Sequence, residues 1–470
     1  MDRTTSPAVA GPLRRRLAAL LETLETGLVE RRLAVHLTLL VALAGEHTLL
    51  IGPPGTAKSE LARRLHFAFK DARYFERLLT RFSVPEELFG PLSIAALEQD
   101  RYERQTAGFL PQATIAFIDE VFKANSAILN ALLTLLNERE FDNGAGRERC
   151  PLISAIGATN EVPADEVGEA FFDRFLLRLP IGPVSDAGFR RLLDLDTGQP
   201  LPPVDAIGDA ERQAIAAAAR GVALPEEVAA LLAELRLRLA GAGTYVSDRR
   251  WVKIVWLLKV AAASEGRERV VLWDLWLLPW CAAPVAESQA DLADWLAGRL
   301  GVRAALSPPR LTRVVEAFEA QAGIEEQADD LDYDEAGRLK FSVAVEGQVA
   351  DAKGAAQAMR MSYTRQRCYG EAHIGARVGQ IDELLGRVAA YAAEIAARRA
   401  ELGAYTAQSL WLDRAFAART DANLAATAQT VDELGRRAAA ARARFTALPR
   451  LPVAEAGSVP APVDHEALTT

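Results

Sequence analysis

Gly52-Pro-Pro-Gly-Thr-Ala-Lys-Ser59 decides the fold class of this chain because of what stands on either side of it. The apolar run His47-Thr-Leu-Leu-Ile51 leads in and a helix-like stretch leads out, so the loop turns a strand into a helix N-terminus. Such turns cradle phosphate. Glycines let main-chain N–H groups close round the oxygens, Lys58 reaches the β and γ phosphates, and the Ser59 hydroxyl coordinates Mg²⁺. Gly52, Pro53, Pro54, Gly55, Thr56, Ala57, Lys58 and Ser59 are therefore the candidate nucleotide-binding residues, with ATP and Mg²⁺ as the expected ligands. One position departs from G-x-x-x-x-G-K-[ST]: Ala57 stands where a second glycine would be. The reading places it at the helix start with negative φ, where alanine costs little. A Gly/Pro-rich turn with no ligand has the same composition, so the rest of the chain must decide.

At 470 residues the chain holds two or three domains. Its 54 basic and 63 acidic side chains give a formal charge of −9 with no Lys/Arg block, which speaks against nucleic acid or an anionic membrane face as partner. Cys150, Cys281 and Cys368 are far apart and form no C-x-x-C, so a reducing cytoplasm is expected rather than a disulfide scaffold or zinc site. The apolar run after Arg14–Arg16 is cut short by Glu22 and Glu25, and Leu33–Ile51 is interrupted by His36, Glu46 and His47. Neither reads as a leader or an integral membrane segment.

Alternating helix-like and strand-like segments from about 12 to 180 predict a parallel sheet with helices on both faces. His47–Ile51, Ile115–Ile118 and Ile153–Ala158 are short apolar runs suited to strands buried on both sides. The helix from about Asn125 to Arg139 gathers Ile128, Leu129, Leu132, Leu135 and Leu136 on one face. A Gly/Pro/Asp-rich stretch, 180–203, leads to helices through about 290, one with Ser247-Asp248 as cap and Val252, Val255, Trp256, Leu258 and Val260 as core face. Beyond Pro309, a helix near Thr312–Ala322, an alternating strand Leu339–Val345 and two long Ala-rich helices predict an antiparallel helical hairpin. The expected division is an α/β nucleotide-binding core at 1–190, an all-α domain at 191–305, and a C-terminal helical hairpin or triple-helical domain at 306–448. A short β insert at about 327–372 interrupts the last, and a tail at 449–470 is expected to be disordered.

The strand-like Thr114-Ile-Ala-Phe-Ile118 ends in Asp119-Glu120, about sixty residues after the phosphate loop. Asp119 suits a Mg²⁺ position and Glu120 the water that attacks phosphorus. Two solvated acids at a strand end are the ordinary alternative, and the spacing to one sheet edge opposes it. Asn160, at the end of Ala158-Thr-Asn-Glu161, offers an amide for the γ-phosphate or simply a strand-to-loop turn. Arg174 in Asp173-Arg-Phe175 supplies a planar fork for phosphoryl charge, or pairs with Asp173. Arg249 and Arg250, at the start of a helix, are both open as reporters of nucleotide state.

In this order the motifs resemble the MoxR branch of AAA+ ATPases, most closely the RavA-type regulatory ATPases. Arg81-Phe-Ser-Val-Pro-Glu-Glu-Leu-Phe-Gly-Pro-Leu-Ser93, Phe117-Ile-Asp-Glu120, Leu132-Leu-Thr-Leu-Leu-Asn-Glu-Arg139, Phe172-Asp-Arg-Phe175 and Tyr245-Val-Ser-Asp-Arg-Arg-Trp251 carry the likeness with the phosphate loop. It covers roughly residues 12–300. The resemblance implies an AAA+ core with a helical lid. It implies Lys58 and Ser59 as Walker A, Asp119 and Glu120 as Walker B, Asn160 as sensor 1, Arg174 as arginine finger and Arg249 as sensor 2. It also implies a β-hairpin at about 88–112 turning near Glu98–Tyr102, and a second at Phe141–Gly146. The implied function is a chaperone-like ring ATPase, a hexamer, acting on protein clients beside a von Willebrand factor A domain partner. Binding of a decarboxylase is not carried over, because the 327–372 insert is too short for the docking domain of that kind. A DNA-acting motor and a nucleotide-gated scaffold without turnover are the competing classes. The acidic balance opposes the first and the intact Glu120 the second.

Overall fold

The apolar runs bury themselves by pairing side by side. In the computed structural model, which describes residues 7–144, 146–161, 166–195, 202–331, 364–451 and 458–468, seven strands precede the helical remainder. They are β1 (Thr48–Ile51), β2 (Tyr74–Leu78), β3 (Ile115–Asp119), β4 (Glu140–Asn143), β5 (Gly146–Arg149), β6 (Ser154–Thr159) and β7 (Leu177–Pro180). A later pair, β8 (Asp329–Leu331) and β9 (Thr364–Gln366), is antiparallel. Five strands form a parallel sheet in the order β2-β3-β6-β1-β7. Register sets Ile51 opposite Thr159 and Ile118 opposite Gly157, so the loops leaving β1, β3 and β6 open at one carboxyl edge, where ligands of such sheets bind.

Leu49, Ala116, Ile118 and Ala155 pack with Ile128, Leu129, Leu132, Leu135 and Leu136 of the helix Ser126–Glu138, the predicted face. Asn125 caps it, its side-chain oxygen accepting from Ile128 N at 3.0 Å. The hairpin expected after that helix is present as β4 and β5. The one expected at 88–112 is not. Helices Glu86–Phe89 and Ile94–Leu97 occupy the segment, with a single antiparallel bridge between Leu92 and Arg104. Ser93 explains the change: its hydroxyl accepts from Ala96 N, starting a helical turn where strand pairing would have continued.

The chain divides into two compact units, Met1–Leu300 with Ala404–Arg419, and Gly301–Gly403 with Thr420–Thr470. The first contains the sheet, the helices after it and the tip of the long helical hairpin. Its helix Asp248–Ser264 is capped by Ser247, but buries Arg250, Ile254, Leu257, Leu258 and Ala261. Leu258 and Val260 of the expected face are buried, but Val252 is 70% exposed, because the helix is phased on a buried arginine that the hydrophobic pattern ignores. At the hairpin tip Tyr405 Oη donates to Asp274 at 2.6 Å, and Ser409 Oγ and Leu410 N both donate to Glu265 at 2.7 Å.

The second unit contains the helix Pro308–Glu326 and most of the long helices Glu371–Gln408 and Arg414–Thr446. Ile374, Ile381, Leu384, Val388, Tyr391 and Ile395 are buried from one long helix and Leu424, Val431, Leu434 and Ala438 from the other, steps of three, four and seven. Arg437 and Arg444 tie the latter to Glu319 and Glu326 at 2.6 and 2.7 Å. The predicted strand Leu339–Val345 lies outside the described residues. The tail is a correction. Within 458–468, Val463 and Leu468 are buried, Ala461 O accepts from Arg377 at 2.7 Å, and Glu466 pairs with Arg310 and Arg313. Two apolar anchors and one acid are enough to seat a Pro/Ala-rich strand of chain when its surface offers matching groups. Among the described residues no helix is long and apolar enough to cross a membrane.

Candidate functional site

The phosphate loop is shaped by its contacts with the sheet as much as by its own glycines. Gly52 N donates to Thr159 O at 2.9 Å, and a Cβ on Gly52 would stand 2.0 Å from Ile181 O. The first glycine is thus required by the close approach of β7's continuation. Gly55 and Ala57 both have positive φ, +79° and +67°, on either side of Thr56. Alternation of handedness of this kind turns successive N–H groups toward one centre, an anion nest. The expectation of negative φ at Ala57 is therefore overturned. The position opens the helix Lys58–Phe67 from the left-handed region, and alanine carries about 1–2 kcal/mol of strain there that glycine would not.

Lys58 Nζ donates to Gly52 O at 2.6 Å, Pro53 O at 2.9 Å and Asn160 Oδ1 at 3.4 Å. Burial lowers its pKa, against the pull of Asp119 and Glu120. Asn160 Nδ2 in turn donates to Glu120 Oε1 at 2.8 Å. One amide therefore joins the loop lysine to the acid at the end of β3. Asp119 Oδ1 accepts from Glu120 N at 2.9 Å, and Glu120 has φ +51°, a strained geometry that turns the chain away from the strand and meets Lys123 at 3.3 Å. The turn alternative for Asn160 also holds, since Thr159 Oγ1 donates to Glu161 O. Ser59 is half-buried on the first turn of its helix.

Arg174 lies between the helix Glu166–Phe172 and β7, apart from this network. Its Nε is buried and has no partner among the described residues. Asp173 is not its partner. That carboxylate accepts from Arg249 Nη2 at 2.8 Å and from Arg250 Nη1 at 3.3 Å. The two arginines left open by the sequence differ sharply. Arg250 is buried, its pKa lowered by burial, and it donates to Cys281 O, Asp173 O, Phe175 O and Leu176 O at 2.7–3.2 Å. Arg249 keeps a half-exposed side chain with that one carboxylate contact.

Two features escaped the sequence. Arg31, buried and with its pKa lowered by burial, donates to Thr56 O at 3.1 Å and Gly182 O at 2.7 Å, holding the phosphate loop against the chain beyond β7. Beside the loop lies a cavity of about 910 Å³ lined by apolar Leu28, Val29, Pro183, Leu192 and Leu195 and by charged Arg31, Glu60 and Arg64, ample for a nucleobase and ribose. A lone arginine and scattered apolar residues carry no local motif. The donor set fits Mg²⁺: one carboxylate, Asp119, and one hydroxyl, Ser59, leave the remaining positions to phosphate and water. Among the described residues no cluster of three His, Cys, Asp or Glu forms an all-protein metal site, and the three cysteines are free.

Comparison with known proteins adds two consecutive family matches. Residues 15–203 match a MoxR domain in the MoxR-vWA-beta-propeller ternary systems, and residues 227–296 match an AAA lid domain. Two uncharacterized proteins of Methanocaldococcus jannaschii are 42% and 41% identical over 265 and 262 residues, covering 56% and 55% of this chain and 69% and 68% of theirs. A structural protein of Acidianus two-tailed virus is 32% identical over 165 residues, 34% of this chain and 26% of its own length.

Proposed function

Because the chain belongs to the MoxR branch of the AAA+ ATPases, we propose that it hydrolyses ATP as a ring, a hexamer, and uses the cycle to remodel protein partners in a chaperone-like role. The observation that carries this is the Lys58–Asn160–Glu120 chain of hydrogen bonds at the sheet edge. It links a phosphate-binding cation to a water-activating acid through one amide, an arrangement a passive binder has no use for. Lys58 and the nest bind the β and γ phosphates. Ser59 and Asp119 hold Mg²⁺, which neutralises phosphate charge when bound. Glu120 orients and deprotonates the attacking water, with Asn160 fixing the Glu120 carboxylate. Arg174, unattached to its own site, acts on a neighbour's, and Arg249 serves as the lid's reporter. The matching family description names MoxR-vWA-beta-propeller systems, which favours a von Willebrand factor A domain protein as partner.

Steady-state hydrolysis against protein concentration tests the reading. Turnover per subunit should rise with assembly. Glu120→Gln should lower it by about 10²–10⁴, and Arg174→Ala by about 10³ or more, both with nucleotide binding retained. Binding without turnover in the unaltered protein would leave a nucleotide-gated scaffold instead.

A further inference from the structure

One carboxylate gathers three arginines around the turn that presents Arg174. Asp173 accepts from Arg249 at 2.8 Å and Arg250 at 3.3 Å, and Arg178 Nη2 stands 3.7 Å away. Arg250 grips the same turn again through Asp173 O, Phe175 O and Leu176 O, while its Nε holds Cys281 O. Arg178 is also buried, with its guanidinium 3.9 Å from the centre of the Phe172 ring. One carboxylate thus serves three guanidiniums, two of them buried, where an uncompensated charge is costly. A surface ion pair needs none of this. Arg249 differs from the other two: it is half-exposed, on the first turn of the helix Asp248–Ser264, and free to exchange its partner.

We propose that Asp173 is a positioning residue through which the lid helix sets where Arg174 is presented to the neighbouring subunit. The inference rests on the reading of Arg174 as acting in trans. Arg250 makes the finger turn and the start of the lid helix one body, so movement of that helix carries Arg174 with it. Arg249 adds a releasable attachment. A guanidinium drawn from Asp173 to phosphate loosens the turn, and the nucleotide state of one subunit reaches the next through its finger.

Mixed assemblies separate this from a merely structural role. Subunits with Arg174→Ala keep their own site but lack a finger; subunits with Glu120→Gln cannot turn over but can lend one. Mixing the two should restore hydrolysis. If it does not, the trans reading itself fails, and the inference falls with it. With that restoration in hand, lending subunits that also carry Asp173→Asn should restore about tenfold less or worse, since small misplacement of a catalytic group costs up to about 10²-fold. Their ATP affinity should be unchanged. Full restoration by Asp173→Asn subunits overturns the proposal. Should that variant fail to bind nucleotide, Asp173→Glu in the lending subunit decides, as it keeps the charge the three guanidiniums share and displaces only the carboxylate. A loss of about threefold or more supports the coupling, and full restoration refutes it.

Discussion

The two units of this chain use main-chain conformation in opposite ways. Every non-glycine residue with positive φ among the described residues, Glu30, Ala57, Asp71, Asp100, Glu120 and Arg139, lies in the unit that contains the sheet. Two of them are in the nucleotide site. The unit of long helices has none among its described residues; its order comes from apolar side chains repeated along regular helices and from ion pairs such as Arg437 with Glu319 at their edges. Strain persists only where surrounding contacts over-determine it, and it gathers where geometry has to serve chemistry. On the proposed function the sheet edge serves catalysis and the helical unit support, and each assignment can be broken separately.

Of the effects that test this comparison, the largest should come from Asn160. Its amide touches both Lys58 and Glu120, so Asn160→Ala removes the link while leaving phosphate-binding and acid groups in the chain. Turnover should fall by about 10²–10³, the usual cost of losing one preorganised donor, with ATP affinity within about threefold of the unaltered protein, as expected when an interaction acts in the transition state. A fall in affinity matching the fall in rate would make Asn160 a binding residue and weaken the assignment of the sheet edge to catalysis.

Leu424 tests the other side. It is fully buried in the second long helix, and Leu424→Ala should cost about 2–4 kcal/mol in urea unfolding of the helical unit. Hydrolysis by the assembled protein under native conditions should hardly change. A large loss of turnover at unchanged assembly would show that the helices do more than support the ring.

What could be read beforehand follows the same division. The strands β1, β3 and β6, the helix Ser126–Glu138 and the long hairpin were legible because hydrophobic period alone specifies them. Lys58 was legible from the phosphate-loop motif that follows β1, Glu120 and Asn160 because each sits at the end of an apolar strand run, and the register of β1, β3 and β6 brings them together. Asp173 was visible only as a neighbour of Arg174. Its role depends on Arg249, Arg250 and Arg178, and the helix phase that buries Arg250 rather than Val252 leaves no trace in an apolar pattern. Residues 88–112 misled for a local reason, Ser93 capping a helix. The tail misled because composition counts its prolines and alanines and not the arginines waiting for Glu466.

The smallest effect bears most directly on the strain argument. Ala57 adopts φ +67° at a position where the motif usually has glycine, and the sequence reading of a relaxed alanine there was wrong. Ala57→Gly relieves about 1–2 kcal/mol of left-handed strain but frees the unfolded chain at a cost of about 0.5–1 kcal/mol. The net should be a gain of roughly 0.5–1 kcal/mol, seen as a small rise in melting temperature with ATP affinity preserved. Ala57→Val should go the other way, because a β-branched side chain fits the left-handed region worst, and the loop would lose nucleotide before the fold loses stability. If glycine instead destabilises the protein, the loop holds alanine without strain. The positive φ values at the sheet edge would then mark ordinary turns, and Glu120 would have to justify the catalytic assignment without them.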